Sequence, residues 1–167
     1  MSIFDFNLIT NSLWKKFYEC FFIHFNSNQE RIFNRHSCKQ SFEYIENKTD
    51  KFDGIINYLT KKFGGNVDEK GICKITASST NNRYVPRNAV DYVNNWVFST
   101  MPENNSWLKI DFLNRRVSIS HYSIKTWKNL RGDAHLKNWV IEGSNSDKDD
   151  EWKILDSRNN QSCLNDR

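Results

Sequence analysis

Between Leu13 and Phe25 the apolar positions Leu13, Trp14, Phe17, Tyr18, Phe21, Phe22 and Phe25 recur at steps of three and four, the spacing of one helical face. Thr10, Asn11 and Ser12 precede them as candidate caps, so the pattern predicts an amphipathic helix over 13–25. Residues 26–51 are polar and hold no sustained period apart from Phe42, Tyr44 and Ile45, which marks a linker or the remains of another module, with a boundary near Lys51. A second, short helix is predicted over 54–63. There Ile55, Ile56, Leu59 and Phe63 share a face, and Gly64-Gly65 supplies the stop.

Beyond Gly65 the period changes from three-and-four to two. Cys73 and Ile75 alternate with Ile72 and Lys74, and Leu108, Ile110 and Phe112 alternate with Trp107, Lys109 and Asp111, as in strands with one buried face. After Leu113-Asn114-Arg115 comes Val117-Ser-Ile119, and then the apolar parity shifts to Tyr122, Ile124 and Thr126, which implies a bulge near Ser120 and His121. Trp139-Val-Ile141 and Trp152-Lys-Ile154 flank a polar stretch from Gly143 to Asp150, a loop between two strands. Short strands separated by turn residues, after one short helix, predict an antiparallel β-sandwich or barrel. Its expected core holds Leu108, Ile110, Phe112, Ile124, Trp139, Ile141 and Trp152, with Ile154 in the same cross-strand cluster.

Length and composition narrow this picture. A chain of 167 residues is one domain with a short appendage. Its 24 aromatics (12 Phe, 6 Trp, 6 Tyr) supply a substantial core and exclude wholesale disorder. The net charge of +4 is spread along the chain, which gives no electrostatic case for nucleic acid or an anionic membrane. The densest basic stretch, Lys125 to Lys137 with Trp127, is a stacking and phosphate candidate, but Asp133 and Glu142 sit close in sequence, and a solvated edge accounts for it. The longest apolar run, Phe17 to Phe25, is interrupted by Glu19 and His24 and falls short of the roughly 20 residues a spanning helix needs. The same interruption and the lack of a small-residue cleavage site argue against a signal peptide.

Candidate chemistry is sparse. The four cysteines, at 20, 38, 73 and 163, form no CxxC pair and have no His at ligand spacing, so neither a zinc centre nor a dithiol site is indicated. Scattered cysteines suit a reducing, cytoplasmic setting. The sequons at Asn47, Asn104 and Asn160 point instead to an extracellular or cell-surface one, although 22 Asn in the chain make chance matches common. No Gly-rich phosphate loop is present, and Ser, His and Asp spacing selects no triad. The expectation is therefore no enzyme, no metal and no cofactor.

Five segments taken together resemble a known family: Ile75-Thr-Ala-Ser-Ser79, Pro86-Arg-Asn-Ala-Val-Asp91, Ser106-Trp-Leu-Lys-Ile-Asp-Phe112, His121-Tyr-Ser-Ile124, and Trp139-Val-Ile-Glu-Gly-Ser-Asn145 with Trp152 downstream. Residues 53–167 resemble the discoidin domain, the coagulation factor V/VIII type C domain, in order and spacing. The resemblance implies an all-β fold, a galactose-binding-like antiparallel jelly-roll β-sandwich, here preceded by the helical segment and linker of residues 1–52. It also implies a non-catalytic binding module whose loops at one end hold a protein or a carbohydrate. Some members hold calcium beside an acid in the position of Asp91, but Tyr92-Val-Asn-Asn-Trp96 adds no second carboxylate and no glycine. There is no cysteine at the start of the domain to match the terminal disulfide common in extracellular members, so the sequence looks more like intracellular relatives. Family members also continue past the strand ending near Arg158, so residues 53–167 are expected to form a C-terminally incomplete sandwich.

The ligand loops implied by the resemblance are 80–86, 92–98 and 128–136. They carry the candidate ligand-binding residues Asn81, Arg83, Tyr84, Trp96, Arg131 and His135. Aromatic rings beside Asn and Arg offer a flat apolar face with fixed hydrogen-bond donors, suited to a sugar ring or a peptide. Phe98, in the same stretch, is expected in the core.

Overall fold

The computed structural model describes residues 5–10, 21–26, 50, 52–82, 84–91, 96–113, 115, 117, 119, 121–126, 136–145 and 152–162. Among these residues strands dominate: β1 (Asp5–Thr10), β2 (Phe21–Asn26), β3 (Lys74–Ala77), β4 (Ser106–Asp111), β5 (His121–Thr126), β6 (Trp139–Ser144) and β7 (Lys153–Arg158), with one α-helix, α1 (Ile55–Phe63), and a 3-10 helix over Pro86–Val90. The β-rich class expected from the period-two runs is the class observed.

Helix α1 follows its sequence signals. Ile55, Ile56 and Leu59 are buried, and Lys61 and Lys62 sit in the last turn, where cations complement the helix dipole. Gly64 adopts the left-handed conformation at φ 67, and the Gly65 N–H donates to Thr60 O at 3.0 Å. That is a Schellman-type stop, and its left-handed residue is one that a glycine fills without strain. The chain then turns through Asn66–Cys73. The Asn66 side chain accepts from the Asp68 N–H at 3.0 Å, and Asp68 Oδ1 accepts from the Ile75 N–H at 2.7 Å, which caps the outer edge of β3.

Two antiparallel sheets follow. One has five strands in the order β3-β4-β1-β6-β7, and the other pairs β2 with β5. In the larger sheet Ile75 pairs with Ile110 and Ala77 with Leu108, Phe6 and Leu8 stand opposite Ile110 and Leu108, and Leu8 stands opposite Ile141. Of these, Ile75, Leu108, Ile110 and Ile141 are buried. Leu108, Ile110, Phe112, Trp139 and Ile141 are buried there with the α1 residues, and Tyr122 and Ile124 of β5 pack against the same cluster. The alternation along β4, with Ser106, Leu108 and Ile110 buried and their neighbours half-buried, is the expected pleat. Ile124 and Trp152 are half-buried rather than buried.

Two further expectations are corrected. The helix predicted over 13–25 gives way to strand β2 at Phe21–Asn26, paired residue for residue with β5 from Phe21 and Thr126 to Asn26 and His121; residues 13–20 lie outside the described ones. Phe21, Phe22, Ile23 and Phe25 are β-branched or aromatic, residues that favour the pleated sheet, and pairing with β5 gives them backbone partners that the three-and-four spacing does not reveal. The second correction concerns Ile154. It is 66% exposed because the β6–β7 register shifts between Ile141 and Glu142, placing Ile154 opposite Glu142 and Asp156 opposite Ile141. One extra residue in a strand changes the face that its neighbours occupy.

The boundary at residue 52 does not divide the sheets. β1 lies between β4 and β6 and is hydrogen-bonded to both, and β2 lies against α1 and the 3-10 helix.

Candidate functional site

One group of loops is held by its own hydrogen bonds. At Asn81–Tyr84 the chain makes a tight turn: Asn82 takes φ 50, a left-handed value that Asn tolerates better than most residues, and the Tyr84 N–H donates to Asn81 O at 3.0 Å. Segment 97–100 runs beside this turn. The Asn81 N–H donates to Ser99 O at 3.0 Å and the Ser99 N–H to Tyr84 O at 3.4 Å. Pro86 opens the 3-10 helix, a position where its missing N–H costs nothing. Two residues on, the buried Asn88 side chain donates from Nδ2 to Val97 O at 2.8 Å. Val97 forms a small apolar cluster of its own with Phe52 and Tyr84.

The same surface continues through Ser79, whose Oγ accepts from the Met101 N–H at 3.1 Å and donates to Glu103 at 2.6 Å. Hydrogen bonds from Ser79 and then Ser78 hold the Glu103 carboxyl below its ordinary value. Just before the segment these bonds hold, Trp96 is 55% exposed, and Met101 is exposed as well. A flat, exposed indole suits stacking on a sugar ring or packing against an apolar side chain.

The structure sorts the candidate residues. Trp96 is exposed and Tyr84 is half-buried against Val97, so these two are brought to one loop cluster. Asn81 is buried and acts through its backbone, framing the turn rather than facing a ligand. Arg83, Arg131 and His135 lie outside the described residues. In the 128–136 loop only Leu136 is described, and it is a core residue, as is Phe98. Met101 and Glu103 join the surface without a sequence signal to single them out.

A second polar group joins the two sheets. The Tyr122 hydroxyl, on β5, donates to Asp156 on β7 and accepts from Trp139 Nε1 on β6 at 2.9 Å. Asp156 also accepts from Arg158 Nε at 2.7 Å. Burial, with the bond to Asp156 second, raises the Tyr122 hydroxyl above the usual tyrosine value. Burial acts to raise Asp156 too, but the Tyr122 and Arg158 hydrogen bonds outweigh it and leave the carboxyl low. The Tyr122 hydroxyl thus both donates and accepts across the two sheets, as a clasp between sheets requires.

No protein-family model, curated protein or solved structure matches this chain. Among the described residues no three His, Cys, Asp or Glu side chains gather as metal ligands, and no helix is long and apolar enough to cross a membrane. Cys73 is a buried free thiol, pushed up to about 12 chiefly by burial, with Arg115 opposing and Asp111 and Asp68 adding to it.

Proposed function

We propose that the chain is a non-catalytic binding module of the discoidin type, a jelly-roll sandwich that holds a protein or carbohydrate ligand on the loops around Trp96. The observation that carries this reading is the Trp96 indole, 55% exposed just before a segment that hydrogen bonds tie to a turn and a 3-10 helix. A large aromatic side chain has few torsions to order when it meets a ligand, and such residues dominate binding energy where they occur in interfaces. The discoidin reading draws support from the order of elements: a short helix, the Ile75-Thr-Ala-Ser strand, the Pro86 helix, and antiparallel strands carrying the Trp107 and Trp139 segments. A cytoplasmic setting is part of the proposal, and the buried free thiol of Cys73 suits it.

The test compares the unsubstituted chain with Trp96→Ala on a glycan array and in pull-down from lysate. Binding to a shared ligand should fall at least tenfold, while the melting temperature changes by no more than about 2 °C, since an exposed loop side chain contributes little to the core. Equal binding by both chains, or a large loss of stability in Trp96→Ala, refutes the site. Four titratable thiols after expression in the native cell support the cytoplasmic reading; sugar on Asn47 or Asn104 supports a surface lectin instead.

A further inference from the structure

The strand at the centre of the larger sheet is the one most distant in sequence from its neighbours. β1 fills the space between β4 and β6, which are not hydrogen-bonded to each other. Each of its pairing partners lies at least 96 residues further along the chain, the nearest being Thr10 with Ser106. The slot has a definite register: Phe6 stands opposite Ile110 and Gly143, Leu8 opposite Leu108 and Ile141, and Asn7 opposite Lys109 and Glu142. β2 belongs to the same length of chain and pairs with β5, so residues 5–26 contribute one strand to each sheet.

The connection between this unit and the rest is long. Residues 27–49 separate β2 from the described start of the body at Asp50; at full extension 23 residues reach about 80 Å, whereas a domain of this size is only about 40 Å across. The covalent link therefore allows β1 to reach its own slot or that of a neighbour. The ladders to β4 and β6 are identical in the two cases, because the same residues pair in the same register.

We propose that the β4–β6 slot is a strand-accepting site and that a second copy of this chain can fill it, giving a reciprocal dimer in which β1 and β2 are exchanged. The occupant is a second copy, since the register and residues that fit the slot are those of this chain's own β1. Closed two-fold exchange satisfies both slots and leaves no open end. Because the tether holds β1 near its own slot at an effective concentration in the millimolar range, exchange competes only when chains fold at about that concentration. Once formed, the dimer is held by ladders on both sides of β1, so it separates slowly on dilution.

The test uses two full-length chains, one carrying Asn7→Cys and the other Glu142→Cys, both with Cys20, Cys38 and Cys163 replaced by Ser. They are unfolded, mixed, refolded at about 1 mM or about 1 µM total chain, and oxidised with oxidised glutathione. A mixed disulfide dimer should form at the higher concentration and be at least tenfold less abundant at the lower one. Pairing Asn7→Cys with Thr76→Cys, two strands away from β1 through Lys109, should give none. A single chain carrying both Asn7→Cys and Glu142→Cys should close its disulfide internally when refolded at 1 µM. Absence of the mixed dimer at 1 mM while this double variant closes normally overturns the exchange. Failure of the double variant to close overturns the slot itself, and equal yields with the Thr76→Cys control show random association instead.

Discussion

Replacing Tyr122 by Phe removes one oxygen and keeps the ring that packs on the core, so it isolates the polar clasp between the sheets. The Trp139 Nε1 group loses its acceptor inside a buried residue, and a buried donor left unpaired costs about 1–3 kcal/mol. Asp156 loses the Tyr122 donor but keeps Arg158 and is accessible to water, so it adds little. The expected loss is about 1–3 kcal/mol, or a melting temperature lower by about 2–12 °C in a chain of this length. Urea unfolding followed by circular dichroism measures it directly. The pH dependence gives a second arm: Tyr122 is raised in the folded state, first by burial and then by Asp156. A group raised on folding contributes stability that is fully present below its unfolded value, about 10 for tyrosine, and lost as pH rises through the folded value. The gap between the two chains should therefore be constant from pH 7 to about 9 and narrow at higher pH. A difference below about 0.5 kcal/mol at pH 7, or a gap that does not narrow above pH 10, refutes the clasp.

Three further outcomes are expected. Phe112→Ala, at a fully buried position in the main cluster, should cost about 3–5 kcal/mol and leave a fraction unfolded at 37 °C, as read by thermal melts. Asp68→Ala removes the acceptor that caps the Ile75 N–H at the edge of β3 and should cost about 0.5–2 kcal/mol by urea titration. Cys73, buried and pushed up to about 12 mainly by burial, should resist alkylation at pH 8 in the folded chain and react fully in denaturant, read by mass spectrometry at that residue.

Sequence periodicity carried the fold where neighbours in space are also near in sequence or where the burial is one-sided. β4 is the clearest case, because Ser106, Leu108 and Ile110 alternate with half-buried residues and a two-residue period has no helical counterpart. Helix α1 was equally plain, since both its face and its Gly64 stop are local. Phe21–Asn26 failed for the opposite reason: what makes it a strand is β5, about a hundred residues away, and no window of eleven to eighteen residues contains that partner. Ile154 failed through a single inserted position, because apolar spacing records parity along one strand and is silent about a shift in its pairing with the next.

For the candidate site the difficulty is of another kind. Trp96 and Phe98 stand two residues apart in one segment and are both aromatic, yet one is exposed and the other is fully buried. Parity alone would put them on the same face. They part because residues 97–100 are held by Asn88, Asn81 and Tyr84, hydrogen bonds to the backbone that no hydrophobic pattern encodes, while Trp96 lies just before the segment they hold. Asn81 shows the same effect in reverse: its side-chain chemistry suggested a donor for a ligand, but its backbone fixes the turn and its side chain is buried. Residue type thus indicates what a loop is able to bind, whereas the backbone bonds of the loop decide which residues are left to do it. The loop substitution that matters most is therefore the one at Trp96, where an apolar ring remains exposed beside a braced backbone.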